Sequence, residues 1–390
     1  MQHKKARLHT ALAALALTVP LCTGFSAAQD SADNQNKTND TSSLSEASST
    51  SNSLQKLASA NVLSKGDDDS DDEDSDDDGN DFDENGDNSD GDGNGDNSDG
   101  DNSGNGQHQA SAPQAPLRGI TITSIKDIDQ TLSVIRSSEK KLTVRVVIRP
   151  NVSMDEYKQA IETLRPHAYI MVEILDANNW APASAESLSN LTEEAIQAFG
   201  DKVDIWEVGN ELNGSWLGTS PQEINQKVEA TYDVVKRHGG RTAITLNYWS
   251  HRGCYEKSWE NLDSYVGTMP EKLHQVDYMF LSVYEFSCNP AQQPSSSDLA
   301  ETLKSLGKTF PSAKLGIGEI AANGPDDEKA ESDLATKKRI AKRYYGMHNE
   351  LTQAVGSRYV GGYFWWYFYE DAVTRDTHMW PTLKNLLNKI

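Results

Sequence analysis

Residues 117–390 of this chain are predicted to form an α/β domain of the (β/α)8 TIM-barrel class, and three observations carry the prediction. Extended apolar runs alternate with amphipathic helical patterns eight times in about 270 residues, the rhythm and size of such a barrel. Most of the runs are apolar on both faces, as strands buried in a parallel sheet must be. Two of them end on a glutamate, Glu211 in VDIWEVGNE and Glu319 in KLGIGE, at the strand ends where parallel barrels collect reactive groups. A doubly wound open sheet is the competing arrangement. It usually needs fewer strands and, for nucleotide binding, a Gly-rich first turn, which Thr121 to Asp129 does not supply.

The first element is a leader. Lys4, Lys5 and Arg7 precede an apolar stretch from Leu8 to Phe25, and Ser26-Ala27-Ala28 supplies the small residues of a cleavage site, so residues 1–28 read as a signal peptide. The stretch is short for a spanning helix and carries Thr18 and Pro20. Cys22 invites a lipoprotein reading, but Leu21 stands before it where lipidation wants a small residue. The protein is therefore expected to be secreted or associated with the cell surface.

Residues 29–116 have almost nothing to bury. Twenty-three acids against Lys37, Lys56 and Lys65 place a net −20 of the chain's formal −23 in this stretch, and Phe82 is its one aromatic. Such a segment cannot offset the backbone entropy of ordering, about 1 to 2 kcal/mol per residue, and its like charges extend it further. It reads as a disordered acidic linker. GDNSDGD occurs twice, from Gly86 and from Gly95, and Asp81, Asp83, Asn85, Gly86 and Asp92 fit calcium-loop positions with Asp where an EF-hand has Glu. Weak calcium binding by the linker is one reading; a solvated spacer is the other, because no helices flank the loop and the repeat lacks a core-building apolar residue. Without leader and linker the remainder carries about −6, a balance that argues against nucleic acid as a partner.

The eight runs are 119–124, 142–149, 168–176, 203–211, 241–248, 277–284, 314–319 and 360–366. Between them, Ser153 with Glu156 opens a helix ending near Arg165, and Ser220-Pro221 with Glu223 opens one running to His238, each with capping-box spacing. Ser332 to Gln353 reads as one long helix and Pro381 to Ile390 as the last. Cys254 and Cys288 remain after the leader is removed. An even pair in an oxidising compartment suggests a disulfide, with two free thiols as the alternative. Within the domain, glycosylation sequons stand at Asn151, Asn190 and Asn213, and a glycan on Asn213 would obstruct a cleft built around Glu211.

Asn210-Glu211 at the end of the fourth run, with Glu319 at the end of the seventh, resembles the retaining glycoside hydrolases of clan A. These are (β/α)8 barrels whose acid/base Glu follows an Asn at the end of strand 4 and whose nucleophile Glu ends strand 7. Either glutamate alone could be a surface carboxylate; the order of the two is the specific signal. The resemblance spans the whole folded part without singling out one family in the clan. It implies Glu211 as acid/base and Glu319 as nucleophile, Asn210 on the sugar 2-hydroxyl, and Tyr284, ending the sixth run, as a hydrogen-bond donor to the nucleophile.

The chemistry needs such a pair. Cleavage requires a proton for a poor leaving group and a carboxylate to meet the oxocarbenium-like carbon, and a separation of about 5 to 5.5 Å makes the second group attack directly. The ionised Glu319 would raise the pKa of Glu211 until the glycosyl-enzyme forms. Trp366 is expected to offer a platform for a sugar ring, with Trp365 as the alternative because strands alternate inside and outside. Arg149, at the end of the second run, is one candidate to orient the nucleophile by a charge-assisted hydrogen bond; Arg145 is the alternative counterpart of the clan's Arg. Asn178, Asn179 and Trp180 after the third run, Trp216 after the fourth, and Asn247, Tyr248 and Trp249 after the fifth supply the aromatics and amides that sugars need.

Other chemistries lack their residues. The histidines from His167 to His378 show no pair at ligand spacing, no Cys cluster exists, and no Gly-x-Ser-x-Gly elbow occurs. No cofactor and no metal are expected, the partner is a carbohydrate, and a monomer is expected. The reading is a secreted retaining glycosidase acting on a β-linked polysaccharide or oligosaccharide. The alternatives are a non-catalytic glycan-binding barrel at the cell surface and, resting on the linker alone, a calcium-dependent adhesin.

Overall fold

The computed structural model describes residues 112–322, 333–374 and 378–390. The leader, nearly all of the acidic linker with its calcium-loop pattern, and Ser332 lie outside the described residues. Eight parallel strands close into one barrel in chain order: β1 Leu117–Ile122, β2 Leu142–Val147, β3 Ala168–Glu173, β4 Ile205–Gly209, β5 Thr242–Asn247, β6 Tyr278–Tyr284, β7 Lys314–Ala321 and β8 Tyr359–Trp365. Helices follow the strands: α1 Ile128–Arg136, α2 Met154–Leu164, α3 Ala185–Phe199, α4 Pro221–Arg237, α5 Leu262–Val266, α6 Ser296–Thr309, α7 Leu334–Gly346, α8 His348–Val355 and α9 Trp380–Lys389. This is the (β/α)8 arrangement the run pattern predicts. Among the described residues no helix is long and apolar enough to cross a membrane.

The capping signals act at the helix starts. Ser153 accepts from the Glu156 N–H while the Glu156 carboxylate accepts from Ser153 N–H at 3.0 Å, a complete capping box before α2. At α4, Ser220 accepts from Glu223 N–H, but the Glu223 carboxylate turns instead to Thr219 N–H and to Lys227, so that box is only half formed. The long helix expected from Ser332 to Gln353 is two helices. Gly346, a weak helix former, ends α7, and the chain bends at Met347 before α8 packs Leu351 inward.

Two apolar layers surround the strands. The larger lies between barrel and helices and takes in Val146, Val172, Val208, Leu246 and Ile320. The smaller fills the barrel floor with Leu117, Met171, Ile205, Ala243, Tyr278, Phe280, Val360 and Phe364. Because side chains alternate, the positions two residues further along three of these strands, Glu173, Glu207 and Thr245, also point inward, and they are buried above that floor.

Two β-bulges break the alternation where it matters. In β7, Ile317 pairs with Leu281 and Glu319 pairs with Ser282, so Gly318 is an extra residue. Ile317 faces the helices, and strict alternation would send Gly318 inward and Glu319 outward; the bulge turns both inward. A Cβ on Gly318 would lie 2.8 Å from Thr245 Cγ2 and 2.9 Å from Phe280 Cβ, so only glycine fits. In β4 the shift falls between Glu207 and Gly209, and a Cβ on Gly209 would strike Leu212 of the outer layer. Val208 and Gly209 thus both face outward, and Asn210 returns to the interior.

Candidate active site

The C-terminal mouth of the barrel opens on a cavity of about 760 Å³, lined among others by Asn210, Glu211, Asn247, Tyr284, Glu319 and Trp366. The two strand-end glutamates thus share one cavity. Glu319 is 2 % exposed and receives three donors: Arg145 Nη2, Asn210 Nδ2 at 2.9 Å on the same Oε1, and Tyr284 Oη at 2.5 Å on Oε2. Burial first, then the negative charges of Glu319 and Glu211, push the Tyr284 phenol well above its ordinary pKa, so it remains a donor. Glu211 is half-buried on the cavity wall and has φ 53°, the left-handed region that non-glycine residues rarely occupy. Its backbone carbonyl accepts from Asn247 Nδ2 at 3.5 Å.

The residue that orients Glu319 is Arg145, and Arg149 does not. Arg145 lies within β2 and points into the barrel, fully buried, whereas Arg149 lies beyond the strand, is 46 % exposed, and pairs with Asp176 at 3.0 Å. Arg149 lines the cavity from its rim. Burial works against the Arg145 charge, but Glu319, Glu207 and Glu173 together outweigh it and hold the guanidinium above its ordinary pKa.

The tryptophans separate in the same way. Trp366 lines the cavity, its ring centroid 5.1 Å from Arg145 Cζ. Trp365 is a correction to its expectation as a sugar contact: it is wholly buried among barrel and helices, and its Nε1 donates to Asp371 at 3.0 Å. Trp180 is a second. It sits in the outer core at 1 % exposure and donates to Leu175 O at 2.9 Å, because the chain turns back over β3 before α3. Asn179 does not line the cavity; its neighbour Asn178 does. Tyr248 is also core, 8 % exposed.

Trp216 is the one large exposed hydrophobic among the described residues, at 41 %. Its ring meets Trp249 edge-on with centroids 6.2 Å apart, and Trp249 in turn stacks on Tyr255 at 5.5 Å. Both tryptophans line the cavity, as does Cys254, which is disulfide-bonded to Cys288 and so ties the loop after β5 to the loop after β6. His251 lies near this pair, the one cluster of possible metal ligands among the described residues, and its two sulfurs are bonded to each other. Asn213 is fully buried and its amide donates to Asn247 O and Glu260 O, so its sequon offers no acceptor in the folded protein.

Glu173 and Glu207, which converge on Arg145 from β3 and β4, were not singled out by sequence reasoning. A signal existed. A charged residue inside a run that is apolar on both faces must be paired once folded, and AYIMVE, IWEVG and LTVRVV each carry one.

No protein-family model matches the chain, and no curated protein matches it by sequence. Among solved structures, a β-glucosidase from Thermotoga maritima in complex with a methoxycarbonyl-substituted glucoimidazole is 14% identical, covering 71% of this chain and 98% of its own, with a TM-score of 0.48. The family 1 β-glucosidase from the same organism with isofagomine lactam is 15% identical over 65% of this chain and 88% of its own, with a TM-score of 0.46. A glycoside hydrolase family 5 enzyme from Prevotella bryantii B14 in complex with a xyloglucan tetradecasaccharide is 12% identical over 68% and 87%, with a TM-score of 0.44. The solved structures that this chain resembles include family 1 and family 5 glycoside hydrolases. The assignment of the barrel rests on this chain's own strand pairing.

Proposed function

We propose that this protein is a retaining glycoside hydrolase that cleaves β-linked glycans by double displacement, with Glu211 as acid/base and Glu319 as nucleophile. One observation carries the reading: two glutamates from opposite sides of the barrel mouth line one cavity, and the more buried of them, Glu319, is held by three donors, one of them a guanidinium. A carboxylate so held keeps its aim.

In the first step Glu319 attacks the anomeric carbon as the glycosidic C–O bond breaks, and Glu211 gives its proton to the departing oxygen. The product is a glycosyl ester on Glu319 and a free alcohol. In the second step Glu211 takes a proton from water, the water oxygen bonds to the anomeric carbon, and the ester bond breaks. Both residues return to their starting states, and the anomeric configuration is retained.

The surroundings have matching tasks. Tyr284 and Arg145 aim Glu319, Asn210 reaches both the nucleophile and the place of a 2-hydroxyl, and Trp366 faces a sugar ring. Trp216, Asn178 and Asn247 line the remaining wall, with Arg149 at the rim. Export by the leader and display on the acidic linker belong to the same reading, as does action on a carbohydrate by a monomer without a cofactor. The test is to incubate the exported protein with a panel of β-glycans and follow the first-formed anomer by NMR. Release of a β-anomer supports the reading, an α-anomer as first product refutes retention, and no release from any member favours the non-catalytic glycan-binding barrel.

A further inference from the structure

Beneath the cavity one cation serves three acids. Arg145 Nη1 lies 3.2 Å from Glu207 Oε2, its Nε lies 3.7 Å from Glu173 Oε2, and its Nη2 contacts Glu319 Oε1. All four side chains are at most 2 % exposed, and among the described residues Arg145 is the only cation paired with any of the three. The other groups facing them are few. From beyond β4 the Asn210 amide donates to Glu319, from β5 the Thr245 hydroxyl donates to Glu207, from β6 Tyr284 donates to Glu319, and from beyond β3 the Asp176 carboxylate bears on Glu173.

Three ionised carboxylates and one guanidinium would leave two uncompensated negative charges in a closed interior. A buried carboxyl in that position takes up a proton instead. Glu319 has three hydrogen-bond donors. Glu173 has no hydrogen-bond donor on either oxygen, and Glu207 shares Arg145 with the other two. Burial raises both carboxyls, Glu173 well above the ordinary range and Glu207 to about 7 against the pull of Arg145 and Thr245.

We propose that Glu173 and Glu207 are positioning residues that form, with Arg145, a buried proton-holding cradle under Glu319. The cradle keeps the guanidinium divided among several acids, so that Arg145 aims the nucleophile without drawing away its full charge. The proposal rests on Glu319 being the nucleophile. The ionisation of Glu207 then sets how much of Arg145 the nucleophile receives: when Glu207 is charged it competes for the guanidinium, and Glu319 is freer to attack.

The test uses the full exported chain. Infrared spectra of protein carrying 13C-labelled glutamate, taken between pH 6 and pH 8, should show the carbonyl band of a protonated carboxyl, and Glu173→Gln or Glu207→Gln should remove intensity from it. With an activated aryl β-glycoside that the wild type turns over, kcat/KM should show an ionisation near 7 that Glu207→Gln abolishes and Glu207→Asp restores. At pH 8 Glu207→Gln should fall about tenfold below wild type in kcat with KM little changed, the effect of one pK unit of interaction. Survival of the whole band in both Gln variants overturns the cradle. Where a variant does not fold, the same titration on Glu211→Gln, which lacks the acid's own proton, decides, and absence of any protonated glutamate band across that range overturns it equally. Turnover that survives Glu319→Ala refutes Glu319 as the nucleophile instead, a result that leaves the infrared outcome untouched.

Discussion

Alanine at Glu319 and at Glu211 should give two different failures. Glu319→Ala removes the atom that bonds to the anomeric carbon, so turnover is lost even with activated leaving groups. It should not cost the fold. Arg145 keeps Glu207 at 3.2 Å, and one negative charge leaves a crowded interior, so the thermal midpoint should stay within a few degrees or rise. Glu211→Ala leaves Glu319 and its three donors intact. With a phenolate that needs little protonation, the glycosyl-enzyme should still form, while its hydrolysis slows by roughly 10² to 10⁴ for want of a base. At 1.36 kcal/mol per factor of ten this is about 3 to 5 kcal/mol of lost transition-state stabilisation. Stopped-flow measurement should show a burst of phenolate, and azide should restore the rate and give a β-glycosyl azide. Backbone strain supplies an internal control. Glu211 stands at φ 53°, so Glu211→Gly should be more stable than Glu211→Ala by about 1 kcal/mol while sharing its kinetic defect. Equal losses in the two alanine variants without azide rescue would refute the assignment of roles.

The remaining predictions concern single contacts. Tyr284→Phe removes a charge-assisted hydrogen bond of 2.5 Å to Glu319, worth about 1.5 to 3 kcal/mol, so kcat/KM should fall roughly 10- to 100-fold with an unchanged fold by circular dichroism. Trp180→Ala should cost about 3 to 5 kcal/mol in denaturant unfolding because the ring is core, whereas Trp216→Ala should leave stability within about 0.5 kcal/mol and raise KM for oligosaccharides. Because the folded-state pKa of Glu207 is raised from 4.5 to about 7, the native state holds a proton that the unfolded chain releases; stability should therefore fall as pH rises through that window, by on the order of 3 kcal/mol, and Glu207→Gln should flatten the decline in thermal midpoint. Alkylation of the unfolded, unreduced protein should add no label at Cys254 or Cys288, and two labels by mass would refute the bridge.

Read alone, the amino-acid sequence determined the class of fold and the address of the two central carboxylates. Periodicity is local, so eight two-faced apolar runs with capped helices between them, and a glutamate at the end of the fourth and of the seventh, were visible without coordinates. What a side chain faces is not local. Strict alternation would turn Glu319 outward, and it faces the cavity only because Gly318 adds a residue to β7. The same parity separates Trp366 from Trp365. Arg149 looked apt because it ends an apolar run, but that run outlasts the strand by two residues, and Arg145 is the guanidinium that reaches across the barrel. Trp180 reads like Trp216 in a list of aromatics after strands, until the chain folds one into the core and leaves the other in water. The sharing of one buried cation by Glu173, Glu207 and Glu319 lies further still from sequence, because it joins β2, β3, β4 and β7. Only closure of the barrel brings those strands within hydrogen-bonding distance, and only the loss of water there makes their charges compete.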